Sequence, residues 1–250
     1  MSNKGGSTWP DWERHEYASA SRVKTFDDCE KQYWFGYHSG LEPTKPDNKY
    51  AKYGSAVHEA IEIALIQGLD NLRDHATEQF YRIADKHGLD DDMVDKGSKH
   101  IRLAAKFITS QDKDITQVEA EIPFTISAID QHMAAKLDVV AEDEIWDWKT
   151  GKHRDRDWLQ ATVYKAAFVA EYGFEPSRVR FIYLQHGDID NHDPGREEFE
   201  KLVEYLKRIR AADEAGQYPA RPGEQCYWCD YEYYCPAADV GMGGVDAEAY

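Results

Sequence analysis

The chain contains no run approaching the roughly 18 apolar residues that a bilayer-spanning helix needs, so no membrane segment is expected. Its polar start, Met1 to Pro10, lacks the apolar stretch of a secretory signal, so the chain is expected inside a cell, in a cytoplasm. Basic residues are scarce. Thirty Lys+Arg face 47 Asp+Glu in 250 residues, a formal net charge of −17. Such a balance excludes a broad basic face that would hold nucleic acid indiscriminately, and most of the surplus carboxylates are expected to be solvated surface. Cysteine is also rare, with four in all. In a reducing interior these do not form a disulfide framework, and metal binding or redox chemistry is the better expectation. Disorder is not implied, because 42% hydrophobic and 13% aromatic content suffices for a core.

What is present has a clear order. Residues 1–18, with Gly5, Gly6 and Ser7, read as a mobile leader, and 237–250, with Gly241, Gly243 and Gly244, as a mobile tail. Between them, 19–236 reads as one domain. Ser19 opens a capped aromatic helix running through Val23, Phe26, Tyr33, Trp34 and Tyr37. Behind Gly54 and Ser55, the residues Ala56, Val57, Ala60, Ile61, Ala64 and Leu65 recur at helical spacing. Further helices are expected at Leu72 to Lys86 and Lys99 to Ser110. The period then changes. Val118 to Ile126, Met133 to Val140 and Glu144 to Lys149 read as three successive strands, a meander. A helix follows from Asp157 to Tyr172, then a strand at Val179 to Leu184 and a helix at Glu197 to Ala212. This is an α+β plan with a helical insertion before a mixed sheet.

Two carboxylates and a lysine stand out on the strands. Asp138 lies near the end of the second, and Asp147-Trp148-Lys149 ends the third. Residues two apart on a strand share a face, so Asp147 and Lys149 point together. Two carboxylates and the Trp148 carbonyl offer the oxygen ligands that a hard divalent cation takes, and a neighbouring lysine can orient an attacking water. Such a cation makes water a nucleophile near neutral pH and offsets charge growing on a phosphate. An isolated Asp-x-Lys would usually be surface charge. Here it has company. His58 borders the apolar face of its helix, and Gln160 and Tyr164, four apart, share one face of the helix that follows the Asp-x-Lys strand.

These segments resemble the RecB-like branch of the PD-(D/E)XK nuclease superfamily. The likeness is carried by SASRVKTFDDCEKQYWF, GSAVHEAIEIAL, KLDVV, IWDWKTGK and QATVYKAAF, and it extends from about Ser19 to Pro236. It implies a restriction-endonuclease-like core, with His58, Asp138 and Asp147 as metal ligands alongside the Trp148 carbonyl. Lys149 becomes the catalytic lysine, and Gln160 with Tyr164 a pair that contacts substrate or steadies the site. One departure is that the usual Gly-x-x-Asp reads Ala134-Ala135-Lys136-Leu137-Asp138. Glu119 and Glu121 are expected to be solvated strand carboxylates without a role.

Cys226, Cys229 and Cys235 are spaced C-x2-C-x5-C, and the fourth, Cys29, is far upstream. A four-thiolate site follows, and zinc and a [4Fe–4S] cluster both accept it. The one-plus-three arrangement resembles the iron–sulfur staple of AddB and Cas-four-type nucleases, which implies [4Fe–4S] and leaves zinc as the alternative. Its role would be structural, closing a very long loop.

The resemblance implies a nuclease that uses Mg²⁺ or Mn²⁺ and a metal-activated water to hydrolyse phosphodiester bonds. Its substrate would be single-stranded or end-bearing DNA, cut with 5′ to 3′ exonuclease polarity, in a prokaryotic or virus-infected prokaryotic cell. Partner proteins of DNA repair, recombination or CRISPR adaptation are implied as well. Two other classes are open: an assembly subunit that keeps the fold without turnover, and a zinc-stabilised interaction domain. The first would be free to lose Asp138, Asp147 or Lys149, yet all are present. Lys149, Lys152, Arg154, Arg156 and Lys165 form a local cationic lip that could hold a few phosphates despite the net charge.

Overall fold

The computed structural model describes residues 17–45, 48–68, 70–151 and 157–238. The expected leader up to residue 16, the tail from 239, and Lys152, Arg154 and Arg156 of the cationic lip lie outside these. Two compact units emerge among the described residues, one drawing on those between 48 and 124 and between 134 and 199, the other on 17–45, 125–133 and 200–238.

In the first unit, α3 (Lys49–Gln67), α4 (Leu72–His87) and α5 (Asp91–Ser110) precede the strands β2 (Ile115–Ile126), β3 (Gln131–Ala141) and β4 (Glu144–Lys149), followed by α6 (Asp157–Tyr172), β5 (Arg178–Tyr183) and β6 (Asp188–His192). The meander forms as expected. β2 pairs with β3, and β3 runs antiparallel to β4 with Val139 opposite Trp146. β4 then lies parallel to β5, with Asp147 opposite Phe181, and β5 is antiparallel to β6. The sheet is therefore mixed, because β4 to β5 passes through the crossover helix α6 while its other neighbours return directly.

The residues of β4 are buried on both faces up to Lys149. Trp146 and Trp148 join Val139, Ala141, Ile182 and Leu184 in the core built with α3, α4 and α5. Phe107 of α5 meets both tryptophans edge-on, with centroids 5.0 and 5.9 Å away. Alternation then sends Asp147 and Lys149 to the opposite face, towards α6. A carboxylate and an amine thus stand inside the fold because two tryptophans anchor the other side of the strand.

Three elements depart from expectation. α3 begins at Lys49, capped by the Asn48 side chain, and runs straight through Gly54. A side chain at Gly54 would come within 3.2 Å of Thr150 Oγ1, so the glycine permits close approach of α3 to the end of β4. α5 begins at Asp91 rather than Lys99, because Asp90 caps it and Gly97 is a packing residue: a Cβ there would lie 1.9 Å from the Phe80 ring. β6 has the polar sequence DIDNH and carries no apolar alternation from which to read it.

α3 and α5 also share a buried polar pair. Tyr53 Oη lies 2.8 Å from His100 Nδ1, and both residues are almost completely buried. Burial, and then the charges of Lys96 and His186, push the His100 pKa down to about 4. The unfolded chain accepts this proton near 6.5, so the pair contributes stability above that pH that is lost as pH falls towards 4. About 3 kcal/mol is expected from this group. Denaturant titrations between pH 4 and 7 should show a shallower acid loss in His100→Gln than in the wild type. Equal slopes would remove His100 from the account.

In the second unit, β1 (Tyr17–Ala18) pairs in parallel with the start of β3, Tyr17 opposite His132. The expected aromatic helix is two helices, α1 (Ala20–Asp28) and α2 (Glu30–Tyr37), divided by Cys29 in extended conformation at φ −162°. The Ser19 side chain caps α1 as expected. Long helix α7 (Arg196–Ala215) buries Leu202, Leu206 and Ile209; of the remaining cysteines, Cys226 lies in a 3-10 turn at Glu224–Trp228, Cys229 directly follows that turn, and Cys235 directly follows a second at Glu232–Tyr234. Ala238 is buried. Among the described residues, no helix is long and apolar enough to cross a membrane.

Candidate active site

All the expected site residues except the cysteines fall in the first unit, and the fold brings them together. His58 stands one turn beyond Gly54 on α3, so the approach that the glycine allows carries the imidazole to the strands. Its Nδ1 lies 3.2 Å from Asp138 Oδ1 and 3.2 Å from Oδ2. Asp138 also accepts the backbone N–H of Trp148 through Oδ2 at 2.8 Å, which ties β3 to β4 at the site.

Asp147, 2% exposed, is held from α6. Its Oδ1 accepts from Tyr164 Oη at 2.7 Å and from Gln160 Nε2 at 3.1 Å. Its Oδ2 is ion-paired with Lys149 Nζ at 2.6 Å. Lys149 donates onward to Gln160 Oε1 at 2.6 Å and lies 4.4 Å from the centroid of the Phe181 ring. Gln160 therefore accepts from the lysine and donates to the carboxylate, fixing its amide orientation. The spacing of four that sets Gln160 and Tyr164 on one helix face aims both at Asp147.

The electrostatics separate the two aspartates. Burial raises the Asp138 pKa, but the His58 imidazolium and the Trp148 N–H outweigh it and hold the carboxyl below its usual range. Burial foremost pushes Asp147 up, with Asp138 adding to it, against the pull of Lys149. Burial lowers the His58 pKa, yet Asp138 more than compensates and carries it to about 9. Tyr164 is raised by burial and then by Asp147, so it remains a donor.

Glu119 departs from the solvated role expected of it. Its side chain is 12% exposed and ion-paired with Lys136, whereas Glu121 is exposed as expected. The ligand atoms of His58, Glu119 and Asp138 all lie within 4.8 Å of one another. Glu119 has φ +51°, uncommon for a non-glycine residue, and this turn breaks the alternation that would have given it the same face as Glu121. The sequence carried only a faint signal, a lysine on the neighbouring strand of the same hairpin. Imidazole and carboxylates are a donor set that suits Mg²⁺ or Mn²⁺, so these residues fit a divalent cation.

Lys165, expected in the cationic lip, is occupied by Glu175 at 3.1 Å and Asp193 at 2.8 Å.

In the second unit Cys29, Cys226, Cys229 and Cys235 line one cavity together with Gln32, Phe35 and Arg221. None is in a disulfide. The backbone N–H of Arg221 donates to Cys29 Sγ at 3.4 Å. Burial raises the Cys229 thiol pKa, and the other three cysteines add to the rise.

The model of the PD-(D/E)XK nuclease superfamily matches residues 17–236. No curated protein sequence matches the chain. Among solved structures, a presumed exonuclease from Eubacterium rectale aligns with a TM-score of 0.61 at 14% identity, covering 98% of this chain and 100% of its own. The structure of SSO0001 aligns with a TM-score of 0.44 at 11% identity, covering 91% of this chain and 89% of its own. The first of these shares the mixed sheet flanked by helices.

Proposed function

We propose, from the premise that the chain belongs to the PD-(D/E)XK nuclease superfamily, that it is a metal-dependent DNA exonuclease acting 5′ to 3′ on single-stranded or end-bearing DNA. The observation that carries the reading is the assembly of His58, Asp138, Asp147 and Lys149 from one helix and two strands, with Gln160 and Tyr164 committed to holding Asp147. A nuclease scaffold kept only for assembly has no use for this precision. His58, Asp138, Asp147 and the Trp148 carbonyl would hold Mg²⁺ or Mn²⁺, which when bound lowers the pKa of water and offsets charge on the scissile phosphate. Lys149, braced by Asp147, Gln160 and the Phe181 face, orients the attacking water and balances the growing charge. Gln160 and Tyr164 keep Asp147 aimed, as outer-shell partners of metal ligands do.

The four cysteines support a [4Fe–4S] cluster of the AddB and Cas-four type, in a prokaryotic or virus-infected cytoplasm. The four thiols face one cavity, and both a [4Fe–4S] cluster and tetrahedral zinc accept four cysteine ligands. The arrangement of one distant cysteine with three close together favours the cluster, by its likeness to the iron–sulfur staple of those nucleases. Repair, recombination or CRISPR adaptation are the settings in which such a nuclease works.

End-labelled linear and circular DNA, single- and double-stranded, incubated with Mg²⁺ or Mn²⁺, tests the activity. Mononucleotide or short-fragment release from the 5′ end of linear single strands is expected, with circles spared. Wild-type protein inert on every substrate with both ions would end the nuclease reading.

A further inference from the structure

We infer that the outward face of α5 is a track for the phosphate backbone of a DNA strand, with Lys96, Lys99, Arg102 and Lys106 as the cations that hold it. The inference deepens the nuclease reading and rests on it. The sequence places the phosphate-holding cations after β4, yet Lys165 is neutralised there by Glu175 and Asp193. A row of positive charge lies instead on α5. From Lys96 to Gln111 the chain holds four Lys or Arg and no Asp or Glu, in a protein whose net charge is −17. At 3.6 residues per turn the four fall within about 120° of one another around the helix and extend about 15 Å along it. Lys99, Arg102 and Lys106 are exposed, and Lys96 is half-buried with its ammonium 5.5 Å from the centroid of the Tyr53 ring. A stacked strand presents a phosphate about every 3.4 Å, so a row of this length matches about four.

Two ordinary uses of such charge do not apply. Cations often complement the negative end of a helix dipole, but that effect is confined to the last turn, and the last turn of α5 carries no basic residue. Surface cations also pair with carboxylates, as Lys49, Arg82 and Lys113 do in the same unit, each with one within 3.6 Å. Among the described residues no ion pair joins any of the four α5 cations to a carboxylate, although Asp92 and Asp95 stand four residues before Lys96 and Lys99. Like charges three and four apart destabilise a helix slightly, so folding supplies no reason for the row.

Its position supplies one. Leu103, with Lys99 four residues before it and Lys106 three after, meets the turn that follows β5: a Cβ on Gly187 would lie 3.7 Å from Leu103 Cδ2. That turn begins at Leu184, whose N–H donates to the Lys149 carbonyl at 2.8 Å. Lys96 stands over Tyr53, and the next residue, Gly54, closes on Thr150 beside Lys149. The row therefore flanks the end of β4 that carries the lysine. A strand with its end at Lys149 has its following phosphates within the field of α5.

Anisotropy of a fluorescent, phosphorothioate-linked oligothymidylate that resists cleavage, titrated with the holoprotein and Mn²⁺ across a salt series, tests the inference. Cleavage of an ordinary long strand, and of a trinucleotide too short to run along α5, is measured beside it. Lys99→Gln/Arg102→Gln/Lys106→Gln should lower the slope of log affinity against log salt by about 2 and raise KM for the long strand about tenfold, with kcat and trinucleotide cleavage unchanged. Arg73→Gln/Arg82→Gln/Lys86→Gln on α4 makes the same change in net charge and should leave slope and KM at the wild-type values. Lys99→Arg/Lys106→Arg keeps the charge and should keep the slope even if the triple variant fails to fold. An unchanged slope and KM in the α5 triple variant, an equal loss in the α4 variant, or a lost slope in the arginine variant overturns the inference. A changed oligomeric state with DNA affinity intact would give the row to a protein partner and overturn it too. A wild type that binds the strand through α5 yet cleaves no DNA would spare the inference and overturn the nuclease reading instead.

Discussion

Asp147→Asn is expected to slow Mn²⁺-dependent DNA cleavage by at least about a thousandfold, close to 4 kcal/mol of lost transition-state stabilisation, while unfolding within about 1 kcal/mol of the wild type. The two halves of this expectation have different origins. The carboxylate is a charge that a cation needs, and asparagine offers only a neutral oxygen. For folding, that charge is a burden. Asp147 is buried and its pKa is raised, so its surroundings resist ionisation more than Lys149 favours it. Removing one partner of a buried pair usually strands the other. Here Lys149 retains Gln160 and the Phe181 ring, and its side chain is 20% exposed, so water completes its solvation. Asparagine can still accept from Tyr164. For a chain of this length the change should move the melting temperature by no more than about 4 °C. A variant that cleaves DNA at the wild-type rate would remove Asp147 from the chemistry. One that fails to fold would show instead that the ion pair is a structural necessity.

How much of this was legible in the sequence depends on how regular each element is. Asp147 and Lys149 could be read because β4 alternates without interruption between two tryptophans and two charged residues. Gln160 and Tyr164 could be read because α6 has an unbroken apolar stripe that defines which face is left. His58 followed from the same logic on α3. Glu119 could not, because a single left-handed residue cancels the period of two that assigns faces on a strand. The break between α1 and α2 was hidden for a related reason. Cys29 interrupts a segment whose composition is helical on both sides, and no glycine or proline marks the place. β6 stayed invisible because DIDNH takes its order from pairing with β5, not from a buried face of its own. In α3, glycine read as a boundary where it is a contact, Gly54 against Thr150; in α5, Gly97 is likewise a contact, against Phe80.

The break at Cys29 also marks the second large effect. Cys29→Ser is expected to abolish the visible charge-transfer absorption of purified protein, lower its iron content, and expose residues 217–238 to proteolysis. The 3-10 turns at Glu224–Trp228 and Glu232–Tyr234 bury none of their residues. Trp228 and Tyr233 are 71% and 84% exposed, so the segment has little apolar burial to order it. Among the contacts that hold it are Asp230 O accepting from Thr44 N at 2.8 Å, Arg221 donating to Asp27 O, Lys45 paired with Glu232 at 2.7 Å, and Tyr231 stacked on Phe35 with centroids 5.4 Å apart. A few exposed bonds each worth at most about 1 kcal/mol do not offset the entropy of ordering some twenty residues. A metal or cluster held by the four thiolates, as proposed, would close that gap. Joining Cys29 to Cys226, Cys229 and Cys235 would shut a loop far longer than a hundred residues, and by analogy with a disulfide of that span would contribute about 5 kcal/mol. Serine matches the shape of cysteine and removes only the soft ligand, so packing at the break between α1 and α2 is preserved. Full iron, unchanged colour and a protease-resistant C-terminal segment in Cys29→Ser would refute the four-thiolate cluster. Stoichiometric zinc in a colourless wild type would keep the staple but change its metal.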